Sequence, residues 1–162
     1  MNAIWTFHRF ERSESRWIDI PDVEADATAG VLAPIRPEVE ATLSLDNALV
    51  IRDTVWPLAW RLCLEPIRSL LADGQPEWLY RCVESPNTYT LRTQGDTVHI
   101  RKNQDAESEF PAREFWPALI AAGVRVIALA ERDRGSTDRD VALLQPSRTQ
   151  AEAILRERGW AP

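Results

Sequence analysis

The order of its strand-like and helix-like segments constrains the fold of this chain more than any other sequence feature. Judged by apolar periodicity, the segments run β-β-β-β-α-β-β-β-α, followed by an ambiguous segment and a last helix. Strict alternation of strands and helices would predict a parallel sheet. This order instead predicts an α+β domain, with a largely antiparallel sheet of about six to eight strands and two or three helices packed on one side. We expect the 162 residues to form one domain.

Period-two alternation and turn residues predict seven strands. The clearest is a hairpin in which Thr88–Gln94 and Thr97–Lys102 are joined around Gly95. Asp46 and Asn47 suit a tight turn between two earlier strands. The other five predicted strands are Ile4–Phe10, Ser15–Ile20, Ala41–Leu45, Ala48–Ile51 and Glu77–Glu84.

Helical spacing of apolar residues predicts a helix after the fourth strand. Asp53 or Thr54 is its candidate N-cap, and Pro66 must break or restart it. A short second helix, Pro66–Ala72, is expected to end before Gly74. The apolar face of the first of these helices carries Trp56, Trp60 and Cys63; these two tryptophans and Trp116 are expected in the core.

The C-terminal part is predicted to contain two more helices. Pro111–Ala122 is expected to bend at Pro117 and to end at Gly123. The β-branched residues of Val124–Ala130 favour a strand, with a helix as the alternative. Residues 131–147 are expected to form a charged loop. Ser147 and Gln150 then form a capping box for a last helix, Arg148–Arg158, ended by Gly159.

Several function classes lack their sequence signature. The six glycines are too far apart for a phosphate-binding loop or a dinucleotide fingerprint. His8, His99, Cys63 and Cys82 stand singly, so neither a metal site nor a cofactor is expected, and the two cysteines are predicted to be buried free thiols. No nucleophile elbow is present, and we expect no enzyme.

Charge and hydropathy exclude two further kinds of partner. The chain is acidic and has no cluster of basic residues, so it is not expected to bind nucleic acid. Its longest apolar runs are far shorter than the roughly 20 residues of a membrane span, and its first residues do not resemble a signal peptide. We therefore expect a soluble cytoplasmic protein that does not contact membranes.

The net charge of −6 lies in one stretch of the chain. Residues 19–53 carry eight acids against Arg36 and Arg52, whereas acids and bases balance in the remainder. Residues 21–37 of this stretch contain proline, glycine and acids and are predicted to form a long acidic loop. Concentrated charge of one sign selects partners of the other sign and speeds their encounter.

The sequence therefore predicts a non-catalytic domain that binds another protein through an acidic surface. A small acidic α+β domain without catalytic motifs has the general character of a bacterial immunity protein, which occludes the basic site of a secreted toxin. Such a domain would act as a monomer or homodimer. The predicted contact residues are Asp19, Asp22, Glu24, Asp26, Glu38, Glu40, Asp46 and Trp17.

Two alternatives remain open at this point. One is a small enzyme or ligand-binding domain whose site is assembled from distant residues, with His8 or His99 beside a carboxylate such as Glu11 or Glu65. The other is a regulatory or structural subunit, for which stable self-association is expected.

Overall fold

A computed structural model describes most of the chain outside its acidic segment. The described residues are 1, 3–11, 16–20, 40–46, 49–54, 57–83, 85–134 and 139–160. The predicted acidic loop over residues 21–37, with Asp22, Glu24 and Asp26, lies outside these residues, as do Glu38 and Trp56.

The described residues contain eight strands in two antiparallel four-stranded sheets. The first sheet has the order β2-β1-β3-β4, and the second has the order β5-β6-β7-β8. This architecture confirms the predicted α+β class and the antiparallel pairing. The strands are β1 (Ala3–Glu11), β2 (Arg16–Ile20), β3 (Glu40–Leu45), β4 (Leu49–Thr54), β5 (Trp78–Arg81), β6 (Thr88–Gln94), β7 (Thr97–Lys102) and β8 (Ser108–Pro111).

The prediction of one sheet with six to eight strands was wrong, because β4 and β5 do not pair. Two short π-helical segments, π1 (Leu58–Leu62) and π2 (Ile67–Ala72), lie between these strands and divide the sheets. Periodicity reports which face of a strand is buried and does not report which strand it pairs with. Strand β8 was not predicted at all; its four residues include only one buried side chain, Phe110.

The start of the first helical segment differs from the prediction. Asp53 and Thr54 belong to β4, and Pro57 occupies the N-cap position of π1 without a side-chain hydrogen bond. The predicted break at Pro66 is confirmed, because Pro66 is the N-cap residue of π2. Proline lacks an amide hydrogen. It is therefore tolerated at the start of a helix, where a backbone N–H group would find no carbonyl acceptor within the helix.

Two long helices complete the fold, α1 (Ala112–Arg134) and α2 (Arg139–Glu157). The predicted stop at Gly123 and the predicted strand over Val124–Ala130 were both wrong, since α1 runs through them. A Cβ atom on Gly123 would lie 2.8 Å from the Cβ of Cys63 and 3.1 Å from the carbonyl oxygen of Ala59. Gly123 therefore permits close packing of α1 on π1 and does not end the helix.

The predicted loop over residues 131–147 was also wrong, because α1 covers its beginning and α2 starts at Arg139 instead of Arg148. Val141 and Leu144 are buried, and this packing holds the first turns of α2 although Pro146 lies inside the helix. The polar residues here join the two helices: Gln145 donates to Glu131, and Arg148 lies 3.9 Å from the same carboxylate. Polar composition alone does not distinguish such a helix contact from a loop.

Helix α1 is the centre of the core, where it contacts β1 of the first sheet and β7 and β8 of the second. Trp116 is fully buried on α1, as predicted, with its ring edge-on to that of Phe115. Cys63 is a buried free thiol, as expected, whereas Cys82 is free but only half-buried. Trp60 was predicted to be in the core but is 41 % exposed, because the π-type winding of π1 does not follow the helical period assumed.

Candidate functional site

The first sheet separates its residues into a buried face and an exposed face. Leu43 and Ile51 lie opposite each other on β3 and β4, and both are completely buried. Ile4 and Val50 belong to the other face and are 48 % and 54 % exposed. Each of them lies opposite Ser44 of β3, so the three residues form one row across the sheet.

We call the exposed face of this sheet the outer face of the first sheet. Beside the row just described, it carries a second row formed by Thr6, Thr42 and Arg52. Thr6 and Arg52 are exposed, and Thr42 is half-buried. The centre of this face therefore combines two exposed aliphatic side chains with small hydroxyl side chains. The described residues of the face are Ile4, Thr6, Thr42, Ser44, Val50 and Arg52.

Two predicted contact residues lie in the next row of the same sheet. Asp19 of β2 lies opposite His8 of β1, and His8 lies opposite Glu40 of β3. Adjacent strands are about 4.8 Å apart, so the backbones of Asp19 and Glu40 are separated by about 10 Å. The fold thus brings two acids that are distant in sequence to either side of one histidine position.

The remaining predicted contact residues are dispersed. Asp46 is exposed in the turn after β3, at the opposite end of that strand from Glu40, and has a positive φ of 47°. Trp17 lies on β2 opposite Phe10 of β1. Asp22, Glu24, Asp26 and Glu38 lie outside the described residues.

Asp53, which was counted with the acidic stretch, lies in the core and not on the surface. Its side chain is completely buried and accepts hydrogen bonds from the backbone N–H groups of Thr54 and Val83, each at 2.9 Å. The hydroxyl of Tyr80 donates to its second oxygen. A buried carboxylate with several donors is a structural group that holds neighbouring elements together.

Tyr80 and Tyr89 connect the second sheet to β4 of the first. They lie opposite each other on β5 and β6, with ring centroids 6.4 Å apart. Tyr80 reaches Asp53, whereas the hydroxyl of Tyr89 donates to the backbone carbonyl oxygen of Val50 at 3.4 Å. Burial, followed by the hydrogen bond to Asp53, raises the pKa of Tyr80, and burial raises the pKa of Tyr89 to about 12.

The outer side of the second sheet holds a group of charged residues around His99. Arg92 forms a bidentate pair with Glu107, with nitrogen–oxygen distances of 3.1 and 2.7 Å. This pair lowers the pKa of Glu107. The Nδ1 atom of His99 lies 3.5 Å from Glu107 and 3.4 Å from Glu109. The carboxylates beside His99 are thus Glu107 and Glu109 and not the Glu11 or Glu65 suggested by the sequence.

The grouping of metal-ligating side chains and the position of His99 can be stated for the described part of the chain. No three His, Cys, Asp or Glu residues within it are grouped so that they could hold a metal ion. His99 does not line the cavity between α1 and α2, the cavity beside Trp160 or the cavity beside Ala3. Within these same residues, no helix is long and apolar enough to cross a membrane.

The fold and surface define an α+β protein of two antiparallel sheets with an exposed, partly apolar sheet face. Comparison with protein-family models, with curated proteins and with solved structures finds no match to this chain.

Sequence reasoning missed the apolar centre of the outer face, although a signal was present. In the alternation of β1, Ile4 shares the phase of Thr6, which is the polar phase of that strand. An aliphatic residue in the polar phase of a half-buried strand predicts an exposed apolar side chain. Val50 gives the same signal beside Arg52 on β4, where burial alternates.

Proposed function

We propose that this protein is a non-catalytic binding domain of the immunity or inhibitor type, which covers a basic site on a partner protein with the outer face of its first sheet. The observation that supports this most is the exposure of Ile4 and Val50 on either side of Ser44. Single exposed aliphatic residues are ordinary, but two in one cross-strand row give a flat apolar centre. Protein interfaces commonly have such a centre within a polar rim.

The acids of the first sheet supply the charge for such a contact. Asp19 and Glu40 occupy the row beyond Thr6 and Thr42, and Asp46 is exposed at the other end of β3. Residues 19–53 carry the whole net charge of −6, so this segment of the chain attracts a basic partner. Charge of this kind raises the association rate and selects the partner more than it adds affinity.

The chain would inhibit the toxin by covering its basic cleft, and this inhibition requires no catalytic step. A toxin that acts on a polyanionic substrate needs a basic cleft, and an acidic protein surface competes for that cleft. The aliphatic centre then excludes water and slows dissociation. Trp17, on the edge strand β2, is proposed as an aromatic anchor at the rim.

The first test concerns the neighbouring gene, which should encode a secreted protein with a basic C-terminal domain. Co-expression of this chain with that domain should restore cell growth, and calorimetry with the purified domain should show a saturable complex. A neighbourhood without such a gene, or a domain whose toxicity the chain leaves unchanged, contradicts the proposed function.

The second test concerns the acidic surface. The double variant Asp19→Lys, Glu40→Lys should bind the toxin domain about tenfold more weakly or worse, and its association should lose salt dependence. The matched control is Glu77→Lys, Asp105→Lys, which reverses two exposed acids outside the first sheet. Equal affinity of the two double variants would show that the acids of the first sheet do not face the partner.

A further inference from the structure

A cavity of about 450 Å³ lies where the second sheet, the start of α1 and the residues that follow α2 meet. Volumes of about 300–1,000 Å³ are typical of sites that bind small molecules. The lining residues that carry the argument are Asp96, Thr97, Glu109, Arg113 and Trp160. None of them belongs to the first sheet, so this cavity is separate from the proposed protein-binding surface.

Strand pairing and one backbone hydrogen bond fix the polar walls of this cavity. Thr97 of β7 and Glu109 of β8 lie on the same face of the second sheet. The backbone N–H of Ala112 donates to the carbonyl oxygen of Asp96 at 2.8 Å, which holds the turn before β7 against the first turn of α1. Arg113 is the next residue of α1, so Asp96 and Arg113 lie on neighbouring segments of the chain.

The aromatic wall is placed by the turn that ends α2. Gly159 has a positive φ of 67°, and its N–H donates to the carbonyl oxygen of Arg156 at 3.0 Å. The N–H of Trp160 donates to the carbonyl oxygen of Leu155 at 2.9 Å. This pair of bonds is the Schellman motif, in which glycine adopts the left-handed conformation. The motif fixes the position from which the half-buried Trp160 lines the cavity.

The Trp160 ring already contacts one cation outside the cavity. The guanidinium carbon of Arg158 lies 5.4 Å from the ring centroid, and Arg158 is held there by a hydrogen bond of 2.6 Å to the carbonyl oxygen of Leu71. Arg158 does not line the cavity. Indole rings attract cations to their faces, and a planar guanidinium can also stack on them. The part of the ring that lines the cavity therefore offers a surface for a second planar cation.

The charged side chains of the cavity favour a ligand with both signs of charge and a positive excess. The carboxylates of Asp96 and Glu109 stand against the single guanidinium of Arg113, and all three residues are exposed. Glu109 lies 3.4 Å from Nδ1 of His99 at the edge of the site. Within the described part of the chain, Asp96 and Arg113 form no ion pair with each other.

We propose that this cavity binds a free amino acid with a guanidinium side chain. An α-amino acid carries its ammonium and carboxylate groups on one carbon, which matches the neighbouring positions of Asp96 and Arg113. Arg113 binds the carboxylate through charge-assisted, often bidentate hydrogen bonds, and Asp96 binds the ammonium. The guanidinium of the ligand stacks on Trp160 and pairs with Glu109. The ligand has one net positive charge and complements two acids and one base.

The first test is calorimetry of the full chain with L-arginine and two analogues. L-Arginine should bind saturably. L-Citrulline replaces the guanidinium with a neutral ureido group of similar shape, and agmatine lacks the carboxylate. Each analogue should bind about tenfold more weakly or worse, because each loses one charge-assisted contact. These measurements do not involve the toxin domain, so either proposal can fail without the other.

The second test removes the two acids of the cavity. The double variant Asp96→Asn, Glu109→Gln should weaken L-arginine binding about tenfold or more. The matched control Glu77→Gln, Asp105→Asn removes the same charge from two exposed positions outside the cavity and should leave binding unchanged. Circular dichroism establishes that each variant is folded.

Two single variants separate the roles of the other walls. Arg113→Gln should weaken the binding of L-arginine but not that of agmatine, which has no carboxylate to lose its partner. Trp160→Leu retains every charge and should weaken L-arginine binding about two- to fivefold through loss of the cation–π contact. The proposal is overturned if L-arginine does not bind, if either analogue binds equally well, or if the folded acid variant binds L-arginine like the original chain.

Discussion

Tyr80, on the first strand of the second sheet, donates its hydroxyl hydrogen to the buried carboxylate of Asp53, on the last strand of the first sheet. Val83 adds its backbone N–H to the same carboxylate at 2.9 Å. No backbone ladder joins β4 to β5, so this contact and the bond from Tyr89 to Val50 tie the two sheets together. Apart from the packing of both sheets on α1, the direct connection between β4 and the second sheet thus depends on the carboxylate of Asp53 and the two tyrosine hydroxyls.

Removing either partner of the Tyr80–Asp53 contact should lower the free energy of unfolding. Tyr80→Phe should cost about 1–3 kcal/mol, because a buried carboxylate oxygen loses a donor. Asp53→Ala should cost about 3–5 kcal/mol, because two N–H groups and a hydroxyl lose their acceptor. Urea titration measures both, and a double-mutant cycle should give a coupling of about 1 kcal/mol or more.

Tyr89→Phe serves as the comparison for that experiment. Its hydroxyl bonds to the neutral carbonyl of Val50 at the longer distance of 3.4 Å. We expect it to cost about 1 kcal/mol or less. If Tyr80→Phe were no more destabilising than Tyr89→Phe, the carboxylate would not be the main connection between the sheets.

Stability should fall at alkaline pH. The pKa values of Tyr80, Cys63 and Cys82 are raised by burial, and that of Tyr89 is raised from its ordinary value of 10.0 to about 12. The unfolded chain therefore releases these protons at lower pH than the folded chain does, so stability present below the ordinary values is lost above them. The urea midpoint should decline above pH 9.0, the ordinary thiol value, and more steeply above 10.0. A flat midpoint across this range would contradict the burial of these groups.

Replacing Glu65 should stabilise the protein at neutral pH. Partial burial, which outweighs the attraction of Arg61 and Arg68, raises its pKa above the ordinary 4.5. Its charged form is therefore disfavoured in the folded protein, and stability that is present below pH 4.5 is lost as the pH rises through the raised pKa. Glu65→Gln should raise the melting temperature slightly at pH 7 and leave it unchanged below pH 4.5. Destabilisation at neutral pH would show that the pairing with Arg61 and Arg68 dominates.

Gly123→Ala should destabilise the protein although alanine is the better helix former. The added Cβ would meet Cys63 and the backbone of Ala59 at distances that require π1 to move. We expect a cost of about 1–3 kcal/mol in thermal or urea unfolding, against a gain of about 1 kcal/mol in an unconstrained helix. Ala128→Gly on the exposed side of α1 is the control and should cost only the helix propensity. A stabilising Gly123→Ala would mean that α1 and π1 are less closely packed than described.

The sequence predicted most strand positions because alternation and turn residues are local signals. The hairpin around Gly95, whose φ of 57° fits the predicted turn, is an example. Gly123 shows where this approach fails, since the same residue can end a helix or allow two helices to touch, and only the packing decides. Val126 and Ile127 likewise favour a strand alone but are buried within a helix.

The candidate surface was predictable only in part. The charge of residues 19–53 is visible in the sequence, but the register that places Asp19 and Glu40 beside His8 depends on long-range pairing. Asp53 belongs to the same acidic stretch and is nevertheless buried. Its partner Tyr80 lies 27 positions further along the chain, so no local pattern indicates the contact. A count of charge cannot separate a surface acid from a core acid.

The central proposal is tested most directly by altering the apolar centre of the outer face. The measurement is calorimetry with the toxin domain that we propose the neighbouring gene encodes. The double variant Ile4→Ser, Val50→Ser removes two exposed aliphatic side chains without changing the charge, and Leu143→Ser, at a position 65 % exposed on α2, is its control. The double variant should bind about tenfold more weakly or worse, because the centre of the interface loses its apolar contacts. The control should retain the original affinity. Unchanged affinity in the folded double variant would show that the outer face of the first sheet is not the binding surface.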